Sequence, residues 1–147
     1  QAAALYRFVK EHVRQGGGGD ASQILATRRG SATRLLLTML RAAEIPCQLV
    51  VAAPNAHAGR VVDWQRPELD HFTAVLIKVD PRDGEPVYVF ADGPRLAPYG
   101  RLPEQLWGGT AYVCDPDGGV LEILPQRMND RPPRYVCRND LETLMAR

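Results

Sequence analysis

Apolar residues recur at helical spacing from the start of the chain. Leu5, Phe8, Val9 and Val13 share one face, with Arg7, Lys10, Glu11 and Arg14 on the others, which predicts an amphipathic helix over about residues 2–15. The run Gly16 to Gly19 is expected to end it, because glycine accepts left-handed backbone angles and gains nothing from staying helical. Asp20 followed by Gln23 fits a capping box and predicts a short helix over about 21–28. From Arg34 to Ala43 the residues Leu35, Leu36, Leu37, Met39, Leu40, Ala42 and Ala43 leave almost no polar face. That pattern predicts a central helix buried on nearly all sides, with Ser31 or Thr33 as its N-cap.

The period changes at Ile45-Pro46, where proline stops the helix and Cys47 to Ala52 reads as a strand. A polar, proline-bearing loop is expected from Pro54 to Leu69. His71–Val79 and Val87–Phe90 then read as two strands joined across Asp83-Gly84. The stretch from Ala91 to Trp107 is punctuated by Pro and Gly, with a helical turn at Pro103–Leu106, and is apolar enough to pack on the sheet. A second hairpin, Thr110–Cys114 and Val120–Leu124, turns at Asp117-Gly118. The fold class expected is therefore α+β: N-terminal helices, one buried central helix, and an antiparallel sheet. A single domain is expected over 1–147, with a core of about 4–125 and a C-terminal extension at 126–147.

Length and composition support that frame. With 147 residues and 45% hydrophobic content the chain can bury one good core. The formal net charge is +1, so a long-range field drawing in nucleic acid is not expected, and neither partner RNA nor DNA is assigned. Lysine occurs only at Lys10 and Lys78, an arginine bias that a GC-rich bacterial coding sequence produces by composition alone. No apolar run approaches the roughly 20 residues that span a bilayer, so no membrane insertion is expected. The chain opens on a helical pattern without Met, as a piece of a longer protein would.

Cys47, Cys114 and Cys137 are an odd number without C-x-x-C spacing, which speaks against a zinc knuckle or a dithiol pair. His12, His57 and His71 share no spacing suited to a metal, so no metal and no cofactor is expected. The glycine run continues into Asp20 rather than into Gly-Lys-Ser/Thr, so it is not a phosphate loop of the Walker type.

Gly30-Ser31-Ala32, then Leu40-Arg41-Ala42-Ala43-Glu44-Ile45-Pro46-Cys47-Gln48-Leu49-Val50, resembles the bacterial transglutaminase-like family. Its hallmark is Gly-x-Cys before a helix ending in Leu-Arg-Ala-x-Gly-Ile-Pro-x-x-Leu-Val. Asp70-His71-Phe72 and Val89-Phe90-Ala91-Asp92-Gly93-Pro94 resemble the family's His strand and Asp strand, and Tyr99–Pro103 with Trp107–Val113 its following tail. The likeness spans about residues 4–125 and implies a papain-like arrangement. There a thiol at a helix N-terminus would be activated by His71, with Asp92 orienting the ring.

The nucleophile position falls on Ala32, and on about Arg29 when counted back from Ile45-Pro46; neither supplies a thiol. Cys47 lies at the opposite end of the central helix, on the order of 15 Å away at about 1.5 Å per residue. The expectation is thus a non-catalytic transglutaminase-like module of a larger bacterial protein, with relict His71 and Asp92 and a groove for a peptide or protein partner. Periplasmic or secreted placement follows from the resemblance alone. Two alternatives stand beside it: an active acyl-transfer enzyme or hydrolase, through Ser31-His71-Asp92 or a natural cysteine exchanged for Ala32, and a purely structural spacer.

The candidate site residues each have a plainer reading. Ser31 suits an N-cap, His71 an ordinary strand histidine, and Asp92 a turn residue bonding backbone. Trp64 and Trp107 flank the His strand and would line a peptide groove or anchor loops. Arg29, with Arg28 and Arg34, makes either a carboxylate-binding edge or a solvated one.

Overall fold

The computed structural model describes residues 1–54, 72–82, 84–93 and 98–125. Among them, three helices precede five strands: α1 (Ala2–His12), α2 (Ala21–Thr27), α3 (Ala32–Ala42), β1 (Cys47–Ala53), β2 (Ala74–Val79), β3 (Val87–Val89), β4 (Thr110–Cys114) and β5 (Val120–Ile123). A 3-10 turn at Glu104–Leu106 lies between β3 and β4, where one helical turn was expected.

Local capping sets two helix starts. The Gln23 amide donates to Asp20 Oδ1 at 2.9 Å and the Asp20 amide to Gln23 Oε1 at 3.0 Å, so the capping box forms. The Arg34 amide donates to Ser31 Oγ at 3.1 Å, making Ser31 the cap of α3. α1 ends at His12, before the glycine run, because the backbone of Arg14 is used elsewhere. Its N–H donates to Arg28 O at 2.9 Å, and its carbonyl accepts from Gly30 N–H at 3.0 Å. Gly30 has φ +144°, and a Cβ there would stand 2.5 Å from Ile24 Cγ1, so both the angle and the fit of α2 against this bridge require glycine.

The expectation of a central helix buried on nearly all sides is corrected. In α3, Ala32, Thr33, Leu35, Leu36 and Leu40 are buried, whereas Arg34, Thr38, Arg41 and Ala42 are exposed. Ala42 reads as apolar in sequence but stands one turn beyond Thr38 on the solvent side, so the helix is amphipathic. Cys47 and Cys114 carry free thiols.

The sheet is antiparallel throughout, in the order β3-β2-β1-β4-β5. The register places Val50 opposite both Leu76 and Val113, and Ala52 opposite Ala111, on one face. Ile77 and Val79 pair with Val89 and Val87 on the other face. This second face meets the helices, so Ile77, Val79 and Val89 share a core with Val9, Leu36 and Leu40. The first face is covered by Leu102, Leu106 and Trp107, as expected of that loop. A fully buried side chain of the Leu or Ile class stabilises by roughly 1.5–3 kcal/mol, and Leu36, Leu76 and Ile77 are each no more than 1% exposed.

Lys78 on β2 reaches Glu122 on β5 at 2.7 Å, although β1 and β4 lie between those strands. On a flat sheet three strand spacings of about 4.8 Å, together with the offset from Gln48 to Ala52 between their partners on β1, would separate their backbones by roughly 19 Å, beyond the reach of the two side chains. The sheet therefore curls strongly, closing its two flanking hairpins toward each other over the Leu76 face. Tyr88 of β3 donates its hydroxyl to the same carboxylate.

Candidate functional site

The N-terminus of α3 leaves backbone amides without intrahelical partners, a position that attracts negative charge. Asp92, in the turn after β3, fills it. The Ala32 amide donates to Asp92 Oδ1 at 3.0 Å, and the buried Thr33 hydroxyl donates to Asp92 Oδ2 at 2.5 Å. α1 secures the turn from the other side. Lys10 Nζ donates to the carbonyls of Ala91 at 2.9 Å and Gly93 at 2.7 Å, and the Gln15 side chain donates to the Asp92 carbonyl. Burial pulls the Lys10 ammonium below the usual lysine range, against the opposing charge of Asp92.

These groups border a cleft of about 620 Å³ between the end of α1 and the start of α3, lined by Lys10, Val13, Arg14, Gln15, Ala32 and Asp92. The structure thus brings Ser31, Ala32 and Asp92 together, with Ser31 as cap and Asp92 on the α3 amides. His71 and Trp64 lie outside the described residues. Trp107 donates its indole N–H to Leu102 O at 2.9 Å within its own loop. Arg29 is exposed on the bridge beside Arg14. Burial pushes the Cys47 thiol up, against the Arg41 guanidinium, so no activated thiolate stands there.

Sequence reasoning missed Lys10, Gln15 and Thr33. Their bonds to the Asp92 turn span 59 to 83 residues of chain, and no local spacing encodes them. The one usable signal was the scarcity of lysine: both lysines, Lys10 and Lys78, hold partners across the fold. Among the described residues no cluster of three His, Cys, Asp or Glu is placed to hold a metal, and no helix is long and apolar enough to cross a membrane.

No protein-family model matches the chain, and no solved structure matches it. Short similarities to curated proteins do occur. The chain is 61% identical over 28 residues to a Candida albicans protein named tRNA-dihydrouridine(47) synthase (NAD(P)(+)), covering 19% of this chain and 5% of that protein. It is 68% identical over 28 residues to the protein of that name from Neurospora crassa, covering 19% and 4%. The same identity and shares hold for a human protein whose name adds "-like". The matched stretch is therefore a small part of each relative's length.

These relatives overturn the expectation of a non-catalytic, peptide-binding transglutaminase-like module of a bacterial protein, together with its acyl-transfer and spacer alternatives. They are eukaryotic proteins named for tRNA modification. The resemblance had rested on the Arg-Ala-x-x-Ile-Pro block and the His71 strand above all, and the first of these is a pattern that buried helix-to-strand connections share. The exclusion of nucleic acid also weakens, since net charge averages over the surface and says little about a local basic edge.

Proposed function

We propose that this chain is part of a polypeptide acting in tRNA dihydrouridine formation. The observation that carries the reading is the identity of 61–68% over 28 residues, shared with proteins of that name from two fungi and human. The names of those relatives include NAD(P)(+). The described residues do not fit a dinucleotide: the run Gly16 to Gly19 follows a helix rather than a strand, and all three described helices precede the sheet. No step of a reduction is therefore assigned to them.

For the architecture alone, and without any acyl-transfer activity, the transglutaminase-like arrangement is also part of this reading. It is supported by the Asp92 carboxylate, one turn beyond β3, seated at the start of α3.

The test is the dihydrouridine content of tRNA from cells lacking the gene, measured by nucleoside mass spectrometry. A loss restored by the wild-type gene is expected. Unchanged dihydrouridine in the deletion strain would remove the reading.

A further inference from the structure

Backbone pairing and one side-chain bond bring arginines from three separate stretches to the segment between α1 and α3. Arg14, two residues beyond α1, and Arg29 after α2 form a parallel bridge, and the Arg28 carbonyl beside it accepts from the Arg14 amide. Arg34, in the first turn of α3, donates to Gly19 O at 2.6 Å and so ties the far end of the glycine run to the same segment. All four arginines are exposed, and among the described residues none of them is ion-paired. Arg28 adopts a left-handed backbone (φ 60°) and holds its guanidinium 5.6 Å from the centre of the Phe8 ring. The carboxylates nearest in sequence are Glu11, one turn before Arg14, and Asp20, whose Oδ1 already caps α2.

Like charges near one another without a carboxylate among the described residues to neutralise them repel, and a bound polyanion relieves that cost. Guanidinium is well suited to the task, because its planar fork meets phosphate oxygens in pairs. Beside the arginines, Gly16, Gly17 and Gly18 are exposed with open space where a side chain would stand, so a sugar-phosphate strand can approach the backbone closely.

We propose that the edge formed by Arg14, Arg28, Arg29 and Arg34 binds the phosphate backbone of tRNA. This rests on the tRNA reading above and adds the surface that makes the contact. Phosphate contacts position the RNA without reading its sequence, so affinity falls steeply with salt. If about three or four phosphates are neutralised, the slope of log K against log salt is about −2 to −4.

The test is fluorescence anisotropy of labelled tRNA with the full chain between 50 and 200 mM salt. The variants are Arg28→Asn with Arg29→Ala, since asparagine tolerates the left-handed angle, and Arg14→Glu, which leaves the bridge's backbone bonds in place. Arg101→Ala, on an exposed loop after β3, is the control, and circular dichroism checks that each variant folds. Each edge variant is expected to weaken binding at least tenfold, the double variant also losing about 1.5 from the salt slope, while Arg101→Ala matches wild type. Binding within twofold of wild type with an unchanged slope, or equal loss in Arg101→Ala, overturns the edge. Equal binding and equal Arg dependence with a DNA duplex of the same length also overturns it as a tRNA surface. The dihydrouridine measurement separates the two readings: loss of the modification alongside intact RNA binding in the variants removes the edge and keeps the function.

Discussion

Asp92 sits in a turn that holds α1, β3 and α3 together. Its two oxygens accept from the Ala32 amide and the Thr33 hydroxyl, while its own turn is fastened by Lys10 of α1 and by Gln15, three residues beyond that helix. Replacing it leaves the buried Thr33 hydroxyl without this partner and uncaps an α3 amide. Asp92→Ala is expected to destabilise the fold by about 1–3 kcal/mol, and Thr33→Val by less, since valine removes the hydroxyl together with its need for a partner. Urea unfolding of both single variants and the double variant measures this. Because the two groups share one interaction, the double variant should cost less than the sum of the singles. Additive costs would show that the contact contributes nothing.

At the scale of elements, the curl of the sheet is pinned by Lys78, Tyr88 and Glu122. Burial alone would raise the Glu122 carboxyl, but the bonds from Lys78 and Tyr88 outweigh it and hold it below the usual range. A depressed carboxylate contributes stability above its unfolded value of about 4.3, and loses it as pH falls through the folded value. Wild-type stability should therefore fall below about pH 5, and Glu122→Gln should be flatter there in urea titrations at stepped pH. An identical acid slope in the variant would remove this role.

Tyr88 is shifted upward by burial and by its bond to Glu122, so its contribution holds at neutral pH and is lost only in strong alkali. The strands themselves were legible, because runs of β-branched residues and Asp-Gly turns are local signals. The contact from β2 to β5 was not, because closure depends on coiling accumulated over the whole sheet. The cap of α2 was legible for the same local reason, since Asp20 and Gln23 lie three residues apart. The Asp92 cap of α3 was not, with 60 residues between donor and acceptor.

At the scale of the whole molecule, both faces of one sheet carry a core, the helices on one and the Leu102–Trp107 segment on the other. The α+β class followed from the order of periodicities along the chain. The proposed role did not follow, because a leucine-rich helix before Ile-Pro marks burial rather than chemistry, and the sequence showed Arg28, Arg29 and Arg34 as a basic edge but not that Arg14 pairs with it. The central claim is that this polypeptide engages tRNA, and ultraviolet crosslinking of the tagged full chain in its own cells, followed by sequencing of the bound RNA, tests it most directly. Enrichment of tRNA well above an untagged control is the result expected; tRNA at the level of that control would contradict it.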